Sequence, residues 1–148
     1  DLLGVALIIG ISRGITVLMN DGGITDTVLH WGEDALSGAG AFSFVLLVYL
    51  IYLPLTILIP SSSGLATLSV PIMAPLGQFA GVGGDLVVTA FQSASGLVNL
   101  ITPTAAVVMG ALALGHVPYD RWVKYVWKLV LYFFLLTIVL LLTGAALS

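Results

Sequence analysis

A proline-bracketed polar cluster, Pro60-Ser61-Ser62-Ser63-Gly64, sits inside a long apolar stretch and has two downstream echoes, Gln92-Ser93-Ala94-Ser95-Gly96 and Asn99-Leu100-Ile101-Thr102-Pro103-Thr104. In hydrocarbon every backbone N–H and C=O needs a partner within the protein. Polar segments that break a helix therefore survive at membrane depth only where protein buries them or where they line a cavity. The chain reads as part of a membrane protein that holds something polar inside the bilayer.

Composition leads to the same class. The chain is 59% hydrophobic and 7% charged with a mean hydropathy of +1.18, whereas soluble domains carry roughly a quarter charged residues. Seven acidic and four basic residues give a net charge of −3, with no electrostatic footprint for nucleic acid. The absence of cysteine excludes disulfides and thiol chemistry. His30 and His116 lack the spacing of a zinc site, so no metal centre and no cofactor are expected. The opening at Asp1, without a signal peptide's basic region, reads as a piece of a longer chain.

Hydrophobic patterning predicts an all-α, polytopic arrangement. Residues 1–19 have the length of a spanning helix, with Arg13 either snorkelling to a headgroup or lying near a substrate path. Residues 24–37 are too short and polar to span, and Trp31 suits an interfacial helix. Residues 41–79 form two apolar arms joined by the Pro/Ser cluster. The second arm is short and interrupted by Pro71 and Pro75, which favours a re-entrant hairpin over two crossings. Residues 85–115 read as one spanning helix broken at 99–104, residues 117–128 as an interfacial helix, and residues 129–147 as an uncharged spanning helix. Three of the four basic residues fall between His116 and Lys128, which places that segment on the cytoplasmic side and the hairpin's mouth outside.

Two segments 32 positions apart, Ser61 to Pro71 and Ser93 to Pro103, share the pattern S-x-S-G-L-x-x-L-x-x-P without gaps. A chain rich in these residue types also produces such matches by chance. Functionally, a helix starting inside the membrane offers free N–H groups to an anion, while unwound carbonyls and Ser, Thr or Asn oxygens replace the hydration shell of Na⁺. The candidate substrate and ion site comprises Ser61, Ser62, Ser63, Gly64, Thr67, Ser93, Ser95, Asn99, Thr102, Pro103 and Thr104. Within it, Ser62, Ser63, Asn99 and Thr102 are the candidate Na⁺ ligands. Na⁺ is preferred to H⁺ because neither break contains Asp, Glu or His. No serine has a His or Lys at its own depth and no carboxylate pair lies inside a helix, so an enzyme is not expected.

The run Arg13-Gly14-Ile15-Thr16-Val17, then Asp26-Thr27, Pro60 to Gly64, Pro71-Ile72-Met73-Ala74-Pro75-Leu76 and Asn99 to Thr104 resembles the C-terminal part of the anaerobic C4-dicarboxylate carrier family. That family belongs to the ion transporter superfamily and includes candidate basic amino acid antiporters. The resemblance implies two inverted repeats, each with a re-entrant hairpin and a discontinuous helix, on a scaffold that often dimerises. It also implies elevator-type transport. This chain would be the second repeat, with residues 24–36 as a horizontal arm and the first repeat in a missing N-terminal half. The superfamily's Ser-Asn-Thr hairpin tip is replaced here by Ser61-Ser62-Ser63. The implied function is a secondary transporter, symporter or antiporter, of small carboxylate-bearing metabolites such as C4-dicarboxylates or amino acids. Its implied location is the bacterial cytoplasmic membrane, which it crosses several times. The implied partners are a small organic anion or amino acid, the lipid bilayer, the missing N-terminal repeat and a second copy in a homodimer. A channel or pore-forming subunit, and a non-transporting scaffold whose serines merely cap helices, are the alternatives.

Overall fold

A computed structural model describes residues 3, 7, 14, 17–18, 21–36, 38–59 and 61–147. The spanning helix expected over 1–19, with Arg13, falls largely outside them, as do Pro60 and Ser37. The helices delimited among the described residues are α1 (Ile24–Leu36), α2 (Ala41–Leu58), α3 (Ser62–Phe79), α4 (Gly84–Asn99), α5 (Ala106–Leu114) and α6 (Tyr119–Leu147).

Two of these, α2 and α6, are long and apolar enough to cross a membrane. They use their apolar surface differently. In α2, 39% of the apolar window is buried within the chain, whereas in α6 only 11% is. Leu129, Tyr132, Leu135, Val139 and Leu140 of α6 all face outward, an exposure that suits lipid and not water.

α2 is the centre of the molecule. Phe44, Val45, Val48, Tyr49, Tyr52, Leu55 and Thr56 recur at helical spacing and are buried. They meet an α4 face of Val87, Ala90, Phe91, Ala94 and Val98, where the two alanines let the backbones approach. Tyr52 meets Phe91 edge-on at 5.1 Å, and Tyr49 packs on Phe134 of α6 at 5.7 Å. The Tyr49 hydroxyl is fully buried beside Thr137 of α6, but no well-formed hydrogen bond satisfies it.

α2 and α3 run antiparallel. The Tyr52 hydroxyl donates to Ser69 Oγ at 3.0 Å. Nearer the open end, a Cβ on Gly77 would lie 3.4 Å from the Phe44 ring. Both pairs are centred between positions 60 and 61. Ser69 in turn donates to the Leu65 carbonyl at 2.6 Å, and Thr56 to that of Tyr52 at 2.8 Å, so this seam keeps its polar atoms bonded.

Two expectations need correction. Pro71 and Pro75 do not interrupt the second arm, because α3 continues through both. Their four-residue spacing puts them on one exposed face, in line with Ser63 and Thr67, while Leu65, Ser69, Met73 and Gly77 form the buried stripe. The ring clashes and lost donors of the prolines therefore fall away from the packed side. Nor is there a division at 128/129: α6 is one helix of 29 residues. No glycine or proline interrupts it before Gly144, so charge patterning alone suggested two segments. At about 43 Å it exceeds a hydrocarbon core of about 30 Å.

The turn signal at 81–84 ends α3 in a Schellman motif. Gly81 takes φ of +76°, Val82 N–H reaches the Gly77 carbonyl at 2.7 Å, and the Val82 side chain is buried beneath it. α5 ends similarly, with Val117 N–H on the Leu112 carbonyl at 2.9 Å, but His116 occupies the left-handed position at φ of +51°.

Candidate functional site

The two polar interruptions are built by opposite means. At the hairpin tip, Ser61 is the N-cap of α3 and its Oγ accepts from the Gly64 amide at 3.2 Å. A Cβ on Gly64 would come within 3.1 Å of that oxygen, so glycine leaves room for the cap. Ser62 and Ser63 are exposed in the first turn, and the Thr67 hydroxyl donates back to the Ser63 carbonyl at 2.8 Å.

The second interruption is a chain break. α4 stops at Asn99, and a tight run of bonds (Leu100 N–H to Leu97, Ile101 and Thr102 N–H to Val98) finishes the helix before α5 begins at Ala106. Pro103 disfavours a helical Thr102, so the chain cannot continue through. The shared S-x-S-G-L-x-x-L-x-x-P pattern thus has no common structure: its proline lies inside a helix at 71 and beyond a helix end at 103.

Within the break, Asn99 Nδ2 reaches Ser95 Oγ at 3.4 Å. The Thr102 and Thr104 hydroxyls lie 2.8 Å apart, and the Thr104 amide donates to Thr102 Oγ1 at 3.4 Å. Ser95 and Thr102 are buried, and Pro103 between the threonines is exposed. Ser93 faces the other way and lines a 260 Å³ cavity with Gly96, Leu97, Leu100, Phe133 and Thr137. The structure therefore separates Ser93 from Ser95, which lie two residues apart on opposite sides of one helix. Thr137 of α6 joins that cavity and faces Tyr49.

Among the described residues no hydrogen bond links the hairpin tip to the break. The candidate residues fall into Ser61 with Gly64, Ser63 with Thr67, Ser95 with Asn99, and Thr102 with Thr104. Ser62, Ser93 and Pro103 stand outside these pairs.

Two residues that bond to the break escape sequence reasoning. The carbonyls of Leu100 and Ile101, released where α4 ends, are taken by side chains from the start of α6. Trp122 Nε1 donates to Leu100 at 2.9 Å, and the Tyr119 hydroxyl donates to Ile101. The aromatic character of 119–127 was legible only as interface preference. Its use as a clamp depends on donors 18 and 22 residues away from their acceptors. Each of these carbonyls has one lone pair engaged, and beside them the break offers hydroxyls, the Asn99 amide and the first N–H groups of α5. The N-cap of α5 is Ala105, which supplies no side-chain cap.

The chain is 38% identical over 88% of its length to an uncharacterised protein of Haemophilus influenzae. It is 34% identical over 80% of its length to the YfcC protein of Escherichia coli, named as a candidate basic amino acid antiporter. It spans only about a quarter of these relatives, 25% and 24% of their lengths. No solved structure matches it. The family model described as C4-dicarboxylate anaerobic carrier matches residues 1–146. With two helices among the described residues long and apolar enough to cross a membrane, and with that family model covering it almost end to end, the chain is a membrane protein and belongs to the C4-dicarboxylate anaerobic carrier family of transporters.

Proposed function

We propose that the protein is part of a secondary active transporter for small carboxylate-bearing metabolites, C4-dicarboxylates or amino acids, in the bacterial cytoplasmic membrane. The observation that carries this reading is the break between α4 and α5. Its own carbonyls at Leu100 and Ile101 are clamped, while the N–H groups opening α5 have no side-chain cap. Such an end offers donors and a partial positive charge to a carboxylate. Neither break contains an acidic residue that would repel it. The antiparallel pair α2 and α3 serves as a re-entrant hairpin in this reading, with its Ser61 to Ser63 tip meeting the break once a missing inverted repeat completes the site. Ser62, Ser63, Asn99 and Thr102 are the proposed Na⁺ ligands, alternating access is of the elevator type, and the scaffold forms a homodimer.

The test uses the full-length protein in proteoliposomes, with labelled C4-dicarboxylate and labelled basic amino acid offered separately under Na⁺ or pH gradients. Asn99→Leu removes a donor and an acceptor from the break and adds apolar bulk. It should abolish substrate binding while membrane expression stays near the parent level. Equal substrate affinity in variant and parent removes the break from the site. Uptake that follows pH and ignores Na⁺ refutes the ion assignment, and single-channel conductance would establish a pore.

A further inference from the structure

We propose that the cleft between the end of α4 and the N-terminal half of α6 binds an anionic phospholipid, one acyl chain in the cleft and the headgroup phosphate on Lys124 and Lys128. The cleft holds about 280 Å³ and is lined by Leu97 and Ile101 on one side and by Val123, Trp127, Val130 and Phe134 on the other. None of these side chains offers a charge, and Trp127 remains 55% exposed. An apolar slot of this kind on the surface of a membrane protein fits a hydrocarbon chain.

Charge along the α6 edge of the slot selects the lipid class. Arg121, Lys124 and Lys128 are exposed on one face of α6. Neither Lys124 nor Lys128 lines the cleft itself, but each precedes a lining residue, Trp127 or Leu131, by three positions and so neighbours its wall. Asp120 is the nearest carboxylate in sequence, yet among the described residues no carboxylate forms an ion pair with any of the three cations. Basic clusters beside a spanning helix attract anionic headgroups, and Trp and Tyr prefer the same depth. Here Tyr125 and Trp127 flank the cations, while Tyr119 and Trp122 turn toward the break. Because Ile101 lines the cleft and its carbonyl accepts from Tyr119, a bound chain would press directly on the clamped helix break.

The experiment is native mass spectrometry of the full-length protein after delipidation and incubation with phosphatidylglycerol or with phosphatidylcholine of the same acyl chains. Phosphatidylglycerol should be retained preferentially. Lys124→Gln and Lys128→Gln should each weaken its retention by about fivefold. Val130→Trp, which fills the slot and leaves the cations in place, should reduce retention just as clearly. Hydrogen exchange across α2 serves as the folding control and should match the parent in all three variants. Equal retention of the two lipids overturns the proposal. So does undiminished retention by Val130→Trp, which would mean that the cations gather lipid without a seat for its chain. Loss of a dimer, or of protection in another segment, on Val130→Trp with lipid retention intact would assign the slot to protein instead.

Discussion

Replacing Trp122 by Phe keeps an aromatic ring at the start of α6 but removes the N–H that holds the Leu100 carbonyl at 2.9 Å. Leu100 is half-buried, so its freed carbonyl is only partly rehydrated. A net loss of about 1 kcal/mol raises the open population of the break about fivefold. Tyr119→Phe removes the neighbouring donor at similar cost. The two acceptors are adjacent in one turn, so the double variant should depart from additivity in a double-mutant cycle. Hydrogen exchange of the full-length protein reads this directly. The amides of Leu100, Ile101 and Thr102 are bonded only within the break, to Leu97 and Val98, and should exchange about fivefold faster in either single variant. Amides of α2 should not change. Unaltered exchange at 100–102, or acceleration spread evenly through α2 and α3, would refute the clamp.

Ser69→Ala should destabilise the protein by about 1–3 kcal/mol, because it strands a fully buried Tyr52 hydroxyl. Tyr52→Phe leaves Ser69 bonded to Leu65 and should cost about 1 kcal/mol or less, an order checked by unfolding the full-length variants in mixed micelles. Gly77→Ala puts a methyl group 2.9 Å from a Val87 methyl and 3.2 Å from the Val82 carbonyl, so the same assay should show a loss of about 1–3 kcal/mol. A neutral result there would mean that the α3–α4 turn yields more easily than its packing implies.

Local chemistry was the legible part of this fold. Pro60 to Gly64 marks the turn between α2 and α3, the glycines at 81–84 mark the next, and Pro103 after a polar run marks the end of α4. Each is a backbone preference that acts within a few residues. Pro71 and Pro75 misled because their cost depends on which face of the helix they occupy, and only packing decides that. The charged segment before Leu129 misled because a helix leaving the bilayer changes composition without changing conformation. The clamp on Leu100 and Ile101 was invisible, since which donor satisfies a carbonyl is settled by tertiary proximity. Ser93 was grouped with Ser95 because spacing in a motif says nothing about the 200° that separates the two around a helix of about 3.6 residues per turn.

The contacts of α6 limit how this part of the molecule can move. At its basic end it is bonded to the break, in its middle it stacks Phe134 on Tyr49, and at its far end Gly144 lies so close to Leu86 that a Cβ there would sit 2.6 Å from the leucine. α4 is therefore held by α6 at both of its ends, and α2 packs against both of them. Any sliding of one bundle past another would leave these three helices as a single rigid body. In the elevator movement proposed above, the shear plane would then run along a surface they leave open: the outward face of α6, or the Ser63, Thr67, Pro71 and Pro75 side of α3.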